Sequence, residues 1–314
     1  MTFERVLITG GSGLLGRYVV AECARHAKVS VLDLAPPPQD LPFHRVDITD
    51  RDAVAAAMKG QDAVIHLAAL DQAVSASEQR FFEINVMGVW NVLAAAEQAG
   101  LRRAVICSSV AAVALSRAYP PQYLPVDIEH PGNPAVAYGL SKQVAEAIGR
   151  TFARRGGMTV CALRPTWVVH PEFAYDIARK VATEDGGNAP PGASHPSWRT
   201  DHEPLIPSRT FVTPDDAARA FRKALDAETG PFDAFFVTAR DSFSPLPTVD
   251  AVRRSFGVDP EIRDPGLYAR DPRAALYDIA RTRDRLGWEP RERWADLMKR
   301  VLAQAGVSAQ IPHP

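Results

Sequence analysis

The chain of 314 residues carries only three cysteines, Cys23, Cys107 and Cys161, too few and too scattered for a disulfide frame or a zinc spacing. Each lies in an apolar or helical stretch, where a thiol acts as a small core residue. An excess of charge is missing too. Lys and Arg number 36 against 37 Asp and Glu, so a net charge of −1 gives no pull toward nucleic acid or an anionic membrane. No apolar run approaches the length of a bilayer span. The first strand-like stretch begins within a few residues of Met1, which leaves no room for a signal peptide. Internal repeats are absent. Together these absences predict a cytoplasmic protein in a reducing compartment. The hydrophobic fraction of 46% and the length suit one large α/β domain, or such a domain with a smaller lobe.

What is present begins at once. Val6-Leu7-Ile8-Thr9 reads as a short buried strand, Gly10-Gly11-Ser12-Gly13-Leu14-Leu15-Gly16 as a glycine-rich turn, and Arg17 onward as a helix. Two phasings fit, with Gly10 or Gly11 preceding Gly13 and Gly16. In either, one glycine turns the chain with positive φ, another leaves room for a pyrophosphate, and Gly16 brings helix and strand close. Backbone N–H groups and the positive end of the helix dipole then face phosphates. Asp33 closes the next apolar strand, placed to accept hydrogen bonds from both hydroxyls of an adenosine ribose. Its charge would repel a 2′-phosphate, and Leu34, Ala35 and Pro36 offer no cation to welcome one. The pattern predicts a dinucleotide site that prefers NAD over NADP.

The alternation continues. Strands are expected over 28–33, 43–48, 63–69, 103–109, 158–165 and 234–238, with helices between them. Thr49 or Asp50 caps a helix, a long helical pattern covers 76–99, and Gly100 ends it. Asp47, at a strand end, is either a helix-entry carboxylate or an acceptor for the adenine amino group. His66 reads as a packed strand histidine. Asn85 interrupts the apolar face of the long helix, as a linker between helix and strand ends or as a device that orients catalytic groups. Residues 111–136 are irregular and proline-studded; a helix from near Val136 ends at Gly156-Gly157. Residues 184–210, rich in proline and glycine, read as a loop or lid. His195, Asp201, His202 and Glu203 within it match no zinc spacing, and no metal site is expected. Asp215 and Asp216 start a further helix, and two more close the chain over 274–286 and 292–305.

Tyr138 and Lys142 lie four apart on a helix, hence on one face. A phenol with a solution pKa of about 10 is a poor base at neutral pH. A neighbouring ammonium and a cationic nicotinamide would stabilise the phenolate, which can then take a proton from a substrate alcohol while the cofactor takes the hydride. Ser109, at the end of the fifth strand, would bind the same substrate oxygen.

With these residues in place, the chain resembles the extended short-chain dehydrogenases/reductases of the NAD-dependent epimerase/dehydratase family. Matching segments are 9–16, Asp33, Asp47-Ile48, His66-Leu67-Ala68-Ala69, Asn85-Val86-Met87-Gly88, Ser108-Ser109, Tyr138-Gly139-Leu140-Ser141-Lys142 and Leu163-Arg164-Pro165, followed by 211–216 and 286–290. The resemblance implies a Rossmann-type doubly wound parallel sheet. An NAD-binding domain would span 1–165, and 166–314 would form mainly a small C-terminal substrate lobe with elements returning to the core. It implies that NAD is held by Gly10, Gly13, Leu14, Leu15 and Gly16, by Asp33, Leu34, Asp47 and Ile48, by Leu67, Ala68 and Ala69, and by Asn85, Tyr138, Lys142 and Pro165. Catalysis would fall to Ser109, Tyr138, Lys142 and Asn85. Asp71, Ser109, Val110, Thr166, Trp167 and Arg209 would meet the substrate. A homodimer through the 76–99 and Tyr138-bearing helices is also implied.

Departures from the family pattern bear on the reaction. Val110 stands where many family epimerases carry a third hydroxyl, so Ser109 must act one residue earlier. Ala111 and Ala112 replace the acidic pair of the dehydratases, which argues against dehydration. After Arg164-Pro165, the run Thr166-Trp167-Val168-Val169-His170-Pro171 replaces the usual Asn-Val-Tyr-Gly-Pro. Three readings remain. One is an NAD-dependent dehydrogenase acting on a secondary alcohol of a sugar, uronate or similar polyol, nearest the uronate dehydrogenase branch. The second is a nucleotide-sugar epimerase with retained NAD, with Arg209 as a diphosphate ligand. The third is a non-catalytic NAD sensor, against which the intact Tyr138 and Lys142 argue.

Overall fold

The computed structural model describes residues 3–184 and 209–304. In chain order the strands are β1 (Arg5–Thr9), β2 (Lys28–Asp33), β3 (Phe43–Arg45), β4 (Ala63–His66), β5 (Arg103–Cys107), β6 (Tyr123–Leu124), β7 (Thr159–Pro165), β8 (Trp167–Val168), β9 (Phe211–Val212), β10 (Phe232–Val237) and β11 (Glu261–Ile262). The helices are α1 (Gly16–Cys23), α2 (Arg51–Met58), α3 (Glu78–Phe81), α4 (Gly88–Gln98), α5 (Ala137–Arg154), α6 (Pro171–Glu184), α7 (Pro214–Asp226), α8 (Thr248–Phe256), α9 (Pro265–Arg270), α10 (Ala280–Leu286) and α11 (Trp294–Gln304). Seven strands form one sheet in the order β10-β7-β5-β4-β1-β2-β3, every pair parallel. This is the doubly wound order, and chain direction reverses between β1 and β4, where such sheets open a crevice for ligands.

Both faces of the sheet are covered, so its strands are apolar without a polar side. Successive residues of β1 go to opposite cores. Val6 and Ile8 pack with Val19 and Val20 of α1 and Phe221 of α7; Leu7 packs with Val54 of α2, Val92 of α4 and Phe152 of α5. Cys23 and Cys161 lie in the first of these cores as small apolar groups, as expected. Two smaller cores belong to the later chain. One gathers Ala174 and Ile177 of α6, Phe211, and Leu297 and Val301 of α11; the other gathers Leu124, Val252, Phe256 and Tyr277. The later half also returns to the main sheet. β10 pairs with β7, and Trp288, fully buried, donates its indole N–H to Asp216 O at 2.9 Å.

Several boundaries differ from the sequence reading, each for a visible reason. The third strand stops at Arg45 because Asp47 turns the chain, its Oδ1 accepting from Thr49 N at 2.9 Å. The fourth and fifth strands end at His66 and Cys107: β1 stops at Thr9, opposite His66, and after Cys107 the chain turns away from β7, which runs on beside β10 to Pro165. Residues 274–279 are not helical: they bridge to Asp241 and Val126, and α10 starts at Ala280. Strand β6 and helices α6, α8 and α9 carry too little local signal to be read from sequence. The expected 184–210 lid lies outside the described residues from 185 to 208, with His195, Asp201, His202 and Glu203. Among the described residues no cluster of His, Cys, Asp and Glu could hold a metal, and no helix is long and apolar enough to cross a membrane.

Candidate active site

The glycine turn joins β1 to α1. Gly10 has φ +71°, a conformation that favours glycine, and its N–H donates to Leu32 O at 2.9 Å. A Cβ on Gly10 would lie 2.5 Å from Ala68 N, so β1 and β4 approach at the crevice only because this residue has no side chain. A Cβ on Gly16 would lie 2.0 Å from Gly10 O, which fixes the helix start against the turn. Asp33, ending β2, accepts Ser12 N at 3.0 Å and Leu34 N at 2.7 Å and stays half-exposed, with lone pairs to spare for a ligand. Leu14 and Leu34 flank this turn 54% and 62% exposed, an apolar surface that an adenosine would cover. Asp47 commits Oδ1 to Thr49, and Ile48 is buried against Gly88. A cradle without side chains, with a carboxylate at the end of β2, fits an adenine dinucleotide.

At the ends of β4 and β5 the polar groups converge. Ser109 caps a short 3-10 turn, its Oγ accepting Ala111 N at 3.1 Å, and its hydroxyl lies close enough to the Tyr138 phenol to act on it. Lys142, 5% exposed, donates from Nζ to Cys107 O at 2.9 Å and stands 5.6 Å from the centre of the Tyr138 ring. The lysine thus addresses the ring face and the strand end. Removal from water, followed by the Asp71 carboxylate and Cys107, pushes the Tyr138 phenol well above its ordinary value, while the Ser109 bond pulls it down. Without cofactor the phenol is protonated, and the lowering expected from Lys142 alone does not appear.

Asn85 sits in a π-helical turn, Phe82–Met87, between α3 and α4. Its Oδ1 accepts Leu70 N at 2.7 Å, and its Nδ2 donates to Leu70 O at 3.0 Å and Ser141 Oγ at 3.2 Å. The amide, 1% exposed, is spent inside the fold and ties the loop after β4 to α5 beside Lys142. That is the linker alternative of the sequence reading. It also fixes where Asp71 follows Leu70. Beside it, His66 Nδ1 meets Thr9 Oγ1 at 2.7 Å; burial depresses this imidazole to about 3, so it is neutral.

The substrate side is less uniform. Leu67, Ala68 and Ala69 follow β4 at the crevice with partial to full exposure, and Pro165 ends β7 buried against Val237. Thr166 is 4% exposed and donates both its N–H (3.0 Å) and its hydroxyl (3.4 Å) to Val237 O. Trp167 stacks edge-on against Phe243 at 6.1 Å, joining the C-terminal core. Val110 packs toward the core around Val113 and Leu124. Arg209 precedes β9 with φ +43°, its carbonyl accepting Phe243 N at 3.0 Å. Glu146, which the sequence reading passed over, lies buried behind the crevice and binds Ser108 and Arg164. Its signal was present: a carboxylate at the third step of the Tyr138–Lys142 stripe.

Residues 6–235 match the model of the NAD dependent epimerase/dehydratase family. A uronate dehydrogenase of Pseudomonas syringae is 24% identical over 253 residues, covering 74% of this chain and 89% of that protein. An L-arabinose 1-dehydrogenase (NAD(P)(+)) of Haloferax volcanii is 32% identical over 189 residues, covering 58% and 72%. A solved UDP-glucose 4-epimerase of Thermus thermophilus in complex with NAD superposes with a TM-score of 0.68 at 25% identity, covering 97% of this chain and 100% of that one. With the glycine cradle, the doubly wound sheet and the Ser109–Tyr138–Lys142 cluster in one crevice, this chain belongs to the NAD-dependent epimerase/dehydratase family and is an NAD-dependent enzyme of the short-chain dehydrogenase/reductase kind.

Proposed function

We propose that the protein is a dehydrogenase that oxidises a secondary alcohol of a sugar or similar polyol, with Tyr138 as general base. The observation that carries this reading is the buried ammonium of Lys142, held on Cys107 O at the end of β5 and 5.6 Å from the centre of the Tyr138 ring, with Ser109 following the same strand end. Bound NAD⁺ supplies the hydride acceptor and a positive charge that stabilises the phenolate. Ser109 holds the substrate oxygen beside Tyr138. The Tyr138 oxygen takes the hydroxyl proton as the carbon–hydrogen bond breaks, leaving a carbonyl. Lys142, anchored on Cys107 O, keeps the tyrosine-bearing helix registered on β5.

Asp71 narrows the substrate. Its carboxylate acts on Tyr138 electrostatically and lies on the loop that Asn85 anchors. A substrate hydroxyl reaching this carboxylate would donate a hydrogen bond to it, whereas a substrate anion there would be repelled. The absence of an acid at Ala111 and Ala112 speaks against dehydration. The epimerase alternative draws on Arg209 at the start of β9 and on the resemblance to UDP-glucose 4-epimerases. A homodimer accounts for Met87, Trp90 and Leu140, which are 51%, 39% and 38% exposed on the helical run through α4 and on α5.

The test is to incubate the protein with NAD⁺ and L-arabinose, D-galacturonate, D-glucuronate or UDP-glucose and to follow NADH absorbance. Multiple turnovers of NADH on a free sugar are expected. Conversion of UDP-glucose to its 4-epimer without NADH would overturn the dehydrogenase reading.

A further inference from the structure

Glu146 lies one turn beyond Lys142 and two beyond Tyr138 on α5, so the three side chains share a stripe. It is 1% exposed and accepts four hydrogen bonds. Ser108 Oγ at 2.6 Å and Arg164 Nε at 2.7 Å reach Oε1; Arg164 Nη2 at 2.8 Å and Arg150 Nη2 at 3.1 Å reach Oε2. Arg164, 8% exposed, also donates to Ile128 O at 3.4 Å and covers the Phe236 ring at 5.5 Å. Burial alone would raise the Glu146 carboxyl, but its donors hold it below the ordinary range, and it is an anion. A buried ion pair is a poor source of stability, since apolar side chains of equal volume serve as well. What this one adds is geometry. A single carboxylate clamps helix α5, the end of β5, the end of β7 and the loop at Ile128.

The bond to Ser108 singles out a purpose. Two hydroxyls end β5, and the structure separates them: Ser109 faces Tyr138, whereas Ser108 is 1% exposed and committed to Glu146. The two residues share a peptide, and Ser109 is extended at φ −162° and ψ 157°. Fixing the Ser108 side chain therefore fixes the plane from which Ser109 reaches the phenol. We infer that Ser108 and Glu146 are positioning residues which aim Ser109 at Tyr138, binding the strand end to the same helix that carries the base. This rests on the proposed roles of Ser109 and Tyr138. Arg164 extends the clamp to Pro165 and Thr166, so the cofactor side and the substrate side are held from one buried point.

The decisive measurement needs no substrate. Tyrosinate absorbance is titrated in the NAD⁺-saturated protein, with a Tyr138→Phe sample subtracted to isolate Tyr138. Because the Ser109 bond lowers this phenol, Ser109→Ala should raise its titration midpoint. Ser108→Ala should raise it in the same direction by about half a pH unit, and the double variant no further than Ser109→Ala alone, since one effect runs through the other. NAD⁺ affinity within about threefold of wild type certifies each fold. An unchanged midpoint in Ser108→Ala, or shifts that add in the double variant, overturns the inference. Should Ser108→Ala not fold, Glu146→Gln weakens the same hold; an upward shift is expected and an unshifted midpoint refutes it. If Ser109→Ala itself leaves Tyr138 unmoved, the reading of the catalytic pair fails instead. With a sugar that reduces NAD⁺, Ser108→Ala should lower kcat about tenfold with little change in KM.

Discussion

The crevice has two walls built on different principles. The cofactor wall, from β1 to β5, is mostly backbone: Gly10, Gly16, Ala68 and the open ends of parallel strands, braced by Asp33 and Asn85. The wall proposed for the substrate, from Thr166 onward, is side chain on side chain: Trp167 against Phe243, Thr166 on Val237, Arg209 tied to the Phe243 backbone. A pyrophosphate is the same in every NAD enzyme, so N–H groups at a helix start can be used again and again. A sugar is not, and its recognition has to be assembled afresh from side chains. The cofactor wall is thereby rigid and general, and the substrate wall specific and mutable.

Tyr138→Phe is expected to break the chemistry that joins the walls, cutting kcat/KM by 10³-fold or more while leaving the NAD⁺ dissociation constant within about twofold, as stopped-flow and titration would record. A large loss of NAD⁺ binding would place Tyr138 in the cofactor wall alone. Gly16→Ala attacks that wall directly. Its Cβ would stand 2.0 Å from a backbone oxygen, so the turn must shift, and calorimetry should show NAD⁺ binding lost with about 1–3 kcal/mol of stability. Asp33→Ala should weaken NAD⁺ about tenfold and close the gap to NADP⁺, on the scale of one or two lost charged hydrogen bonds. An unchanged preference would remove Asp33 from cofactor choice. On the loop after β4, Asp71→Asn should lower the Tyr138 midpoint, because it removes a carboxylate that disfavours the phenolate.

A last expected effect separates the walls by pH. His66, behind the cofactor wall, is depressed from 6.5 to about 3 by burial. Between those values the unfolded chain binds a proton that the native protein does not. Stability therefore rises with pH across that window and is lost as pH falls through it. In the later chain two groups oppose each other. His170 is depressed to about 4 by burial, with the same sign as His66, whereas burial raises Asp241 to about 6, so its contribution is present below 3.8 and fades as pH rises through 6. Between about pH 4 and 6 these two nearly cancel. The His66 share of the slope, up to about 1.4 kcal/mol per pH unit, should be lost in urea-unfolding series of His66→Gln.

Much of the first wall was legible in the sequence. The glycine turn, the carboxylate closing β2, the hydroxyls after β5 and the shared face of Tyr138 and Lys142 could be read because each depends on near neighbours: a turn, a strand end, two residues one helical turn apart. The strand ends at His66 and Cys107 were placed two or three residues late. A strand stops where its partners stop, and partners are remote in sequence. β6, α6, α8 and α9 escaped for a related reason, since they are stabilised by the small cores they complete.

The amino-acid sequence by itself determined what is held and the class of chemistry: a dinucleotide at a glycine-rich turn, in an NAD-dependent enzyme. Periodicity, conformational freedom and spacing act over a few residues, and that is the range in which these features are written. Only the tertiary structure decided the division of labour. It joined Asn85 to Leu70 and Ser141, gave Ser108 to Glu146, and brought Ser109 and Asp71 near enough to the Tyr138 phenol to act on it. Those pairings join residues as many as 67 apart in the chain, as between Asp71 and Tyr138. A hydrogen bond is set by a few ångströms in space, and no local pattern encodes that distance.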